Sequence, residues 1–273
     1  VFGSRWADFE HKFLVKGGYL NYQIVGYRNQ PELEEKLGRY SYRRKKEDIL
    51  DLPPKTDVVV SVPLDAESRK RYEEMRKLAV VQVQGTDPET GRPISGTALS
   101  RIVLTNVLRL QQMASGFVKL KDGTEVDLSH EKDRYLADLL EDMLAQKERV
   151  VVFCRFKNEI HRVLTVARGL KTQVEVLDGT VDQQERENHI RGFSTGAVRC
   201  LVIQIAVGSL GIDLSACSKA VFYGLSYSLT DYLQSRDRLH RIGQRNAVTY
   251  YILLAERSID QVIYRVLQRK EDL

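Results

Sequence analysis

The sequence predicts an α/β fold, a parallel sheet with helices on both faces, preceded by a mainly helical N-terminal subdomain. Three observations predict it. From Arg149 onward, short β-branched runs alternate with helical stretches, as strand–helix–strand units do. Before about Ser129 the apolar residues instead recur mostly at helical spacing. Finally, 273 residues with 42% hydrophobic and 29% charged side chains suit a globular protein able to bury a substantial core.

The chain opens abruptly. Val1 is not a natural start residue, and Phe2, Trp6, Phe9 and Phe13 follow at helical intervals, so the text reads as cut from a longer protein. Gly17, Gly18, Gly26 and Gly38 break what comes next, up to a basic run between Arg39 and Lys46 that holds five basic residues in eight. Pro53 and Pro54 then precede Asp57 to Val62, a Val-rich strand that order in sequence does not prevent from joining the later sheet. Asp65 starts a charged helix with a narrow stripe of Tyr72, Met75 and Ala79. Asp87, Pro88, Gly91 and Pro93 make Gly85 to Gly96 a turn-rich, mobile loop.

Leu99, Ile102, Val103, Val107 and Leu110 define a further helix ending at Gly116. Lys121 to Asp127 reads as a hairpin about Asp122 and Gly123. Leu136, Leu139, Leu140, Met143 and Leu144 mark a strong helix. The strands after it are Val150 to Phe153, Gln173 to Leu177, Val198 to Ile205, Ala220 to Tyr223 and Val248 to Leu254. Asp182 with Glu185, and Ser258 with Gln261, have the spacing of capping boxes at helix starts.

A net charge of +5 leans toward polyanionic partners, and its distribution matters more than its size. Besides the run ending at Lys46, Arg236 to Arg245 holds four arginines against one acid; both are candidate phosphate contacts. Cys154, Cys200 and Cys217 are an odd number without paired spacing, which favours buried thiols in a reducing compartment over disulfides or zinc. The five histidines show no metal-ligand spacing. No apolar run approaches membrane-spanning length, and no signal peptide is visible, so a soluble, intracellular setting is expected.

The chemistry concentrates between Leu201 and Arg245, which reads as strand, glycine-rich turn, strand and helix. In the last helix Gln234, Arg238 and Arg241 are spaced to share one face, with Leu229, Tyr232 and Leu239 opposite. Arginines fixed on one face suit a phosphate chain; a solvated surface is the bland alternative. Ligands of open parallel sheets bind beyond the carboxyl ends of the strands. There the sequence supplies Arg155 and Lys157, then Asp178, Gly179 and Thr180, then Gly208 to Asp213, and finally Ser226 to Ser228. Glycines let backbone N–H groups approach phosphate, while hydroxyl and basic groups donate to it. An ordinary turn at Gly179 and Thr180, and a surface salt bridge at Arg155, are the alternatives.

QSRDRLHRIGQ resembles the sixth motif of the Swi/Snf-type DNA translocases in helicase superfamily two, and its upstream neighbours follow the family's order. LRLQQMASGF is similar to the family's helix before the core of its second lobe. The resemblance covers essentially the whole chain. It implies a RecA-like three-layer lobe at residues 130–273, preceded by a helical insertion at 1–129. It further implies that Arg238 and Arg241 reach as arginine fingers to ATP on another lobe, with Gly211, Asp213 and Gln234 on the nucleotide side. The segments matching VVFCRF, LDGT and VGSLGIDL imply DNA-backbone contact through Arg155, Lys157, Gly179, Thr180, Gly208 and Ser209.

The sequence departs from the family at Ser209 for glycine, Ile205 for threonine, Asp213 for asparagine, and Ser226, Tyr227 and Ser228 for Trp-Asn-Pro. No phosphate loop of the form G-x-x-x-x-G-K-S/T occurs, and no Asp-Glu pair to hold magnesium. The expectation is therefore a monomeric lobe that turns over nothing alone and needs its N-terminal RecA-like lobe, ATP, Mg2+ and double-stranded DNA. A non-catalytic nucleic-acid-binding module and a lobe of a strand-separating DNA or RNA helicase are the rival readings.

Overall fold

The computed structural model describes residues 5–17, 23–41, 49–83, 96–120, 122–207 and 211–271, and divides into two compact units, Val1–Asp51 and Leu52–Leu273. The basic run 42–46 and nearly all of the expected loop 85–96 lie outside the described residues. In the first unit, helix α1 (Trp6–Phe13) runs into an antiparallel pair, β1 (Leu14–Gly17) and β2 (Gln23–Tyr27), and helix α2 (Gln30–Gly38) follows. The Phe9 and Phe13 rings meet at a tilt, their centroids 5.2 Å apart, and Phe13 is buried.

The second unit opens with strand β3 (Lys55–Val62), helices α3 (Ala66–Val83) and α4 (Gly96–Ala114), and a hairpin of β4 (Phe117–Lys119) and β5 (Glu125–Asp127). The hairpin begins earlier than its turn residues predict, because Phe117 is buried and extends the pairing back toward α4. Gly123 supplies the positive φ of +90° that the turn needs, and the Asp122 carboxylate accepts the Thr124 N–H at 2.9 Å.

Helix α5 (Glu131–Ala145) leads into a strand and helix alternation: β6 (Val150–Cys154), α6 (Lys157–Gly169), β7 (Val174–Leu177), α7 (Gln183–Thr195), β8 (Cys200–Gln204) and β9 (Lys219–Phe222). It closes with α8 (Leu229–Leu239), β10 (Val248–Ala255) and α9 (Ile259–Glu271). These strands and β3 form a six-stranded sheet of order β3-β10-β9-β6-β8-β7, every pair parallel. The Val-rich stretch near Val58 therefore joins the sheet as an edge, with Lys55 opposite Val248 and Val62 opposite Ala255.

Strand periodicity sorts the core into two layers. Val151, Phe153, Leu201, Ile203, Ala220 and Phe222 point to the side covered by Phe193 of α7, Tyr232 of α8 and Ile263 of α9. Val150, Val152, Cys154, Cys200, Val202 and Val221 point the other way, against Leu136 and Leu140 of α5 and Ile160 and Val163 of α6. This is the predicted three-layer arrangement. A satellite cluster of Tyr72, Leu110, Met113 and Ala255 fastens α3 and α4 near the end of β10.

Phe222 is fully buried and stacks on Phe153 at 4.9 Å. Replacing it by alanine is expected to cost about 3–5 kcal/mol, read as a lower urea midpoint at unchanged m-value. Most strand ends fall within a residue of the sequence reading, and two further boundaries differ for a visible reason. The run Val198 to Ile205 is strand only over Cys200–Gln204, because the Val198 N–H turns back to the Gly192 carbonyl of α7 and Ile205–Val207 coils into a 3-10 turn. Helix α8 stops at Leu239, short of the Arg241 that the sequence reading places in it, because His240 leaves helical geometry (φ −91°, ψ 77°) and bonds through Nε2 to the Pro53 carbonyl at 2.8 Å.

The capping residues behave as their spacing predicts, with one variation. The Asp182 carboxylate accepts the Glu185 N–H at 2.8 Å. At α9 the Ser258 hydroxyl accepts the Asp260 N–H, whereas Gln261 reaches back to the Arg257 N–H rather than to that of Ser258. Among the described residues no helix is long and apolar enough to cross a membrane.

Candidate functional site

Helix α8 starts beyond the carboxyl end of β9 and runs back along the sheet, so its last turn lies near the amino ends of the strands. His240 meets Pro53, just before β3, and the buried Gln244 donates to the carbonyls of Cys217, just before β9, at 2.8 Å and of Leu239 at 3.2 Å. The loop after β8 comes down to meet it, the Leu214 N–H donating to the Arg238 carbonyl at 3.0 Å. Gly211, at φ +63°, sits in the left-handed region that glycine adopts without strain.

These ties bring Asp213 beside Arg241, with Oδ1 4.0 Å from Nε. Burial would raise the Asp213 carboxyl, but the Ser215 N–H and hydroxyl, together with Arg241, hold it below the usual carboxylate range. Side-chain exposures of 38% for Arg241 and 57% for Asp213 make the pair weak and easily exchanged for a stronger anion. Arg238 is half-buried in the last turn of α8, with Gln234 one turn earlier, also half-buried. The expected single helical face is corrected in one respect: Arg241 lies past the helix end and approaches through the turn, its N–H bonded to the Leu239 carbonyl.

Arg236 is not a phosphate contact. It is buried, 2.7 Å from Asp57 and 4.5 Å from the Tyr250 ring, with the Tyr232 hydroxyl at 2.6 Å. Burial alone would lower its guanidinium; Tyr232 and Asp57 raise it instead. The cationic stretch ending at Arg245 therefore splits into one arginine that fastens β3 to the sheet and others that remain near the surface.

At the opposite end of the sheet, the carboxyl tips present the second group of expected residues. Arg155 follows β6, half-buried, with its guanidinium over the Phe156 ring at 5.0 Å, and burial lowers its pKa from the usual value. Lys157 is exposed at the first position of α6, close enough to Asp178 to help pull that carboxyl down. After β7, the Asp178 carboxylate accepts both the N–H of Thr180 at 2.8 Å and its hydroxyl at 2.5 Å, an Asx turn. Gly179 is exposed, with open space where a Cβ would stand. Gly208 and Ser209 lie outside the described residues. Ile205 is buried in the apolar layer, which accounts for a hydrophobic side chain there.

Beneath these tips lies a polar network that composition and spacing do not reveal. Glu159 is fully buried; its carboxylate accepts the N–H groups of Arg155 at 2.7 Å and Phe156 at 3.1 Å, and the Ser115 hydroxyl at 2.5 Å. Burial pushes Glu159 up, against the pull of Ser115, Lys132 and those two N–H groups. A Cβ on Gly224 would come within 2.6 Å of Glu159 Oε2, which is why a glycine stands there. Alongside, Lys132 Nζ bonds Asp260 at 2.7 Å and the Tyr223 carbonyl at 3.0 Å, and the Tyr223 hydroxyl bonds Asp133 at 2.7 Å. Arg162 ties Asp133 and Asp127, each at 2.7 Å, to the same floor. The legible signal was small: Glu159 stands three residues past Phe156, the position of a reaching-back acid.

Guanidinium groups thus stand at one end of the sheet, and the basic side chains of Arg155 and Lys157 at the other. Among the described residues no group of three His, Cys, Asp or Glu side chains converges on a metal position. The arginines fit nucleotide phosphates; Asp213, an isolated carboxylate in its turn, does not furnish a magnesium cradle.

Residues 131–243 match the helicase conserved C-terminal domain family. The chain is 24% identical over 89% of its length to an uncharacterized ATP-dependent helicase of Mycoplasma genitalium, MG018, and 25% identical over 88% to the SWI/SNF chromatin-remodeling complex subunit snf22 of Schizosaccharomyces pombe. It spans 23% and 15% of those proteins, about a quarter or less of their length. The solved Sulfolobus solfataricus SWI2/SNF2 ATPase core in complex with dsDNA superposes at a TM-score of 0.64, covering 98% of this chain and 55% of that one at 20% identity.

Proposed function

Because the chain is a C-terminal RecA-like lobe of the Swi/Snf type, in helicase superfamily two, we propose that it supplies arginine fingers and DNA-backbone contacts to an ATP-dependent double-stranded DNA translocase. Residues 1–129 correspond in this reading to the helical insertion and 130–273 to the catalytic lobe. Arg238 and Arg241, with Gln234, Gly211 and Asp213, face ATP held by a companion N-terminal RecA-like lobe; ATP and Mg2+ belong to the two-lobe protein. Arg155, Lys157, Gly179 and Thr180, with Gly208 and Ser209, follow the phosphodiester backbone of a duplex. Among the described residues, the observation that supports this most is the separation of the two groups: the half-exposed Arg241 with Asp213 lies at the end of α8, and the basic rim lies at the other end of the sheet. A lobe that grips nucleotide at one place and DNA at another can convert closure on ATP into displacement along a backbone.

Phosphoryl transfer rests almost entirely on positioning and charge neutralisation, so the chain by itself is expected to bind ATP very weakly and to hydrolyse none measurably. It binds duplex DNA weakly and without sequence preference, with affinity falling as salt rises. Fluorescence anisotropy against ionic strength measures this directly. Arg155→Ala and Lys157→Ala should each weaken binding and reduce the log–log salt slope by about one, whereas Arg241→Ala leaves both unchanged. Tight ATP binding by the isolated chain, or a salt slope insensitive to Arg155 and Lys157, defeats the assignment of roles.

A further inference from the structure

A groove of about 490 Å³ opens where β10 ends, between α3, α4 and the first turns of α9, and neither the nucleotide nor the DNA reading uses it. Its floor is apolar, formed by Leu110, Ile259, Val262 and the Tyr227 ring. Val262 is 47% exposed, a large aliphatic side chain left in water on an otherwise well-packed helix. The rim is cationic. Arg76 is paired with Glu73 at 2.7 Å, but Arg257 and Arg265, both exposed, have no side-chain partner among the described residues.

Arg257 is held there at a cost. Its φ of +48° is unusual for a side chain other than glycine, and the turn is pinned from both sides: the Arg257 N–H donates to Gln261 Oε1 at 3.2 Å, and its carbonyl accepts Arg69 Nη1 at 3.2 Å. Arg69 also grips the Glu256 carbonyl. The backbone is thus fixed in a strained conformation while the guanidinium it presents remains unpaired, at the mouth of an apolar cleft.

We propose that this groove docks an acidic peptide segment of a partner protein, one that carries a single aliphatic or aromatic anchor between its acids. The anchor covers Val262, Ile259 and Leu110, and the flanking carboxylates pair with Arg257 and Arg265, a mode of recognition built from an arginine rim and one apolar pocket. A DNA duplex is the weaker fit. It is a stiff convex cylinder that reaches rim arginines with its phosphates but has no apolar group to lay on the floor.

The test needs neither ATP nor a second lobe. A short dye-labelled peptide of glutamates flanking one central leucine is titrated into the 273-residue chain and read by anisotropy. Saturable binding is expected, weakened roughly tenfold or more by Arg257→Glu and by Arg265→Glu, and lost when the peptide's leucine becomes serine. Arg265→Glu lies on an exposed helix face, so it keeps the test valid should Arg257→Glu disturb its strained turn. Absence of binding overturns the proposal, as does binding indifferent to both arginines or to the leucine. Displacement of the peptide by duplex DNA whose own affinity falls in the same two variants also overturns it, since the groove would then belong to the DNA track.

Discussion

On the proposed reading, Arg241→Ala in a protein carrying both lobes is expected to lower DNA-stimulated ATP turnover about a thousandfold, the lower end of what an arginine finger contributes, and to leave duplex affinity unchanged. The geometry sets both halves of that expectation. Arg241 is 38% exposed and opposed only at 4.0 Å by an exposed Asp213, so its guanidinium is available to a triphosphate at small cost. It lies at the end of the lobe away from Arg155 and Lys157, so the proposed DNA contacts are expected not to depend on it. The loss should appear in kcat far more than in KM, because the forming charge is what the fork meets. Arg241→Lys keeps the charge without the planar fork and should recover only part of the rate. Steady-state ATPase measurement with and without duplex decides it; a fall of less than about tenfold in kcat would mean that Arg241 is not a finger.

A loss of stability as large as that at Phe222 is expected from Lys132→Met. Lys132 and Asp260 are 3% and 4% exposed and 2.7 Å apart, with the ammonium also on the Tyr223 carbonyl. Removing the cation leaves a carboxylate in the interior with the Ala255 and Ser258 neighbourhood unable to replace it, which costs about 3–5 kcal/mol. Pairing it with Asp260→Leu should restore much of that loss, because two apolar groups of similar volume avoid the uncompensated charge. The exposed pair Arg134–Glu131, at a similar 2.8 Å, is the control: Arg134→Ala should change stability by no more than about 1 kcal/mol. Urea unfolding of the three variants, with m-values compared, tests all of this. Equal effects of Lys132→Met and Arg134→Ala would show that burial does not govern the network.

How far the molecule could be read from its sequence follows from the range of the forces involved. The central strands β6 and β8 announce themselves because they are buried on both faces and so are almost continuously apolar. Asp182 announces α7 because a cap is a contact three residues long. Arg236 does not announce its role: its partner Asp57 comes from the other end of the chain, and spacing on α8 cannot distinguish an arginine turned to Asp57 and Tyr250 from one turned to solvent. His240 and Gln244 were illegible for the same reason, since both bond to carbonyls of residues distant in sequence. The site divides likewise. Asp213, Arg238 and Arg241 are singled out as candidates by a motif, whereas Lys132 and, but for its spacing from Phe156, Glu159 are recognised only once Ser115, Tyr223 and Asp260 have been folded around them.

Strand β3 has consequences for how the molecule is made. Its sheet neighbour is β10, so Lys55 waits for Val248 before it finds a hydrogen-bonding partner. During vectorial synthesis a Val-rich segment, with Val58 and Val59 still partly exposed even when native, leaves the ribosome long before its mate does. Nascent chains halted ahead of Val248 would carry that segment unprotected, and the holding capacity of chaperones, rather than intrinsic stability, would then set the yield.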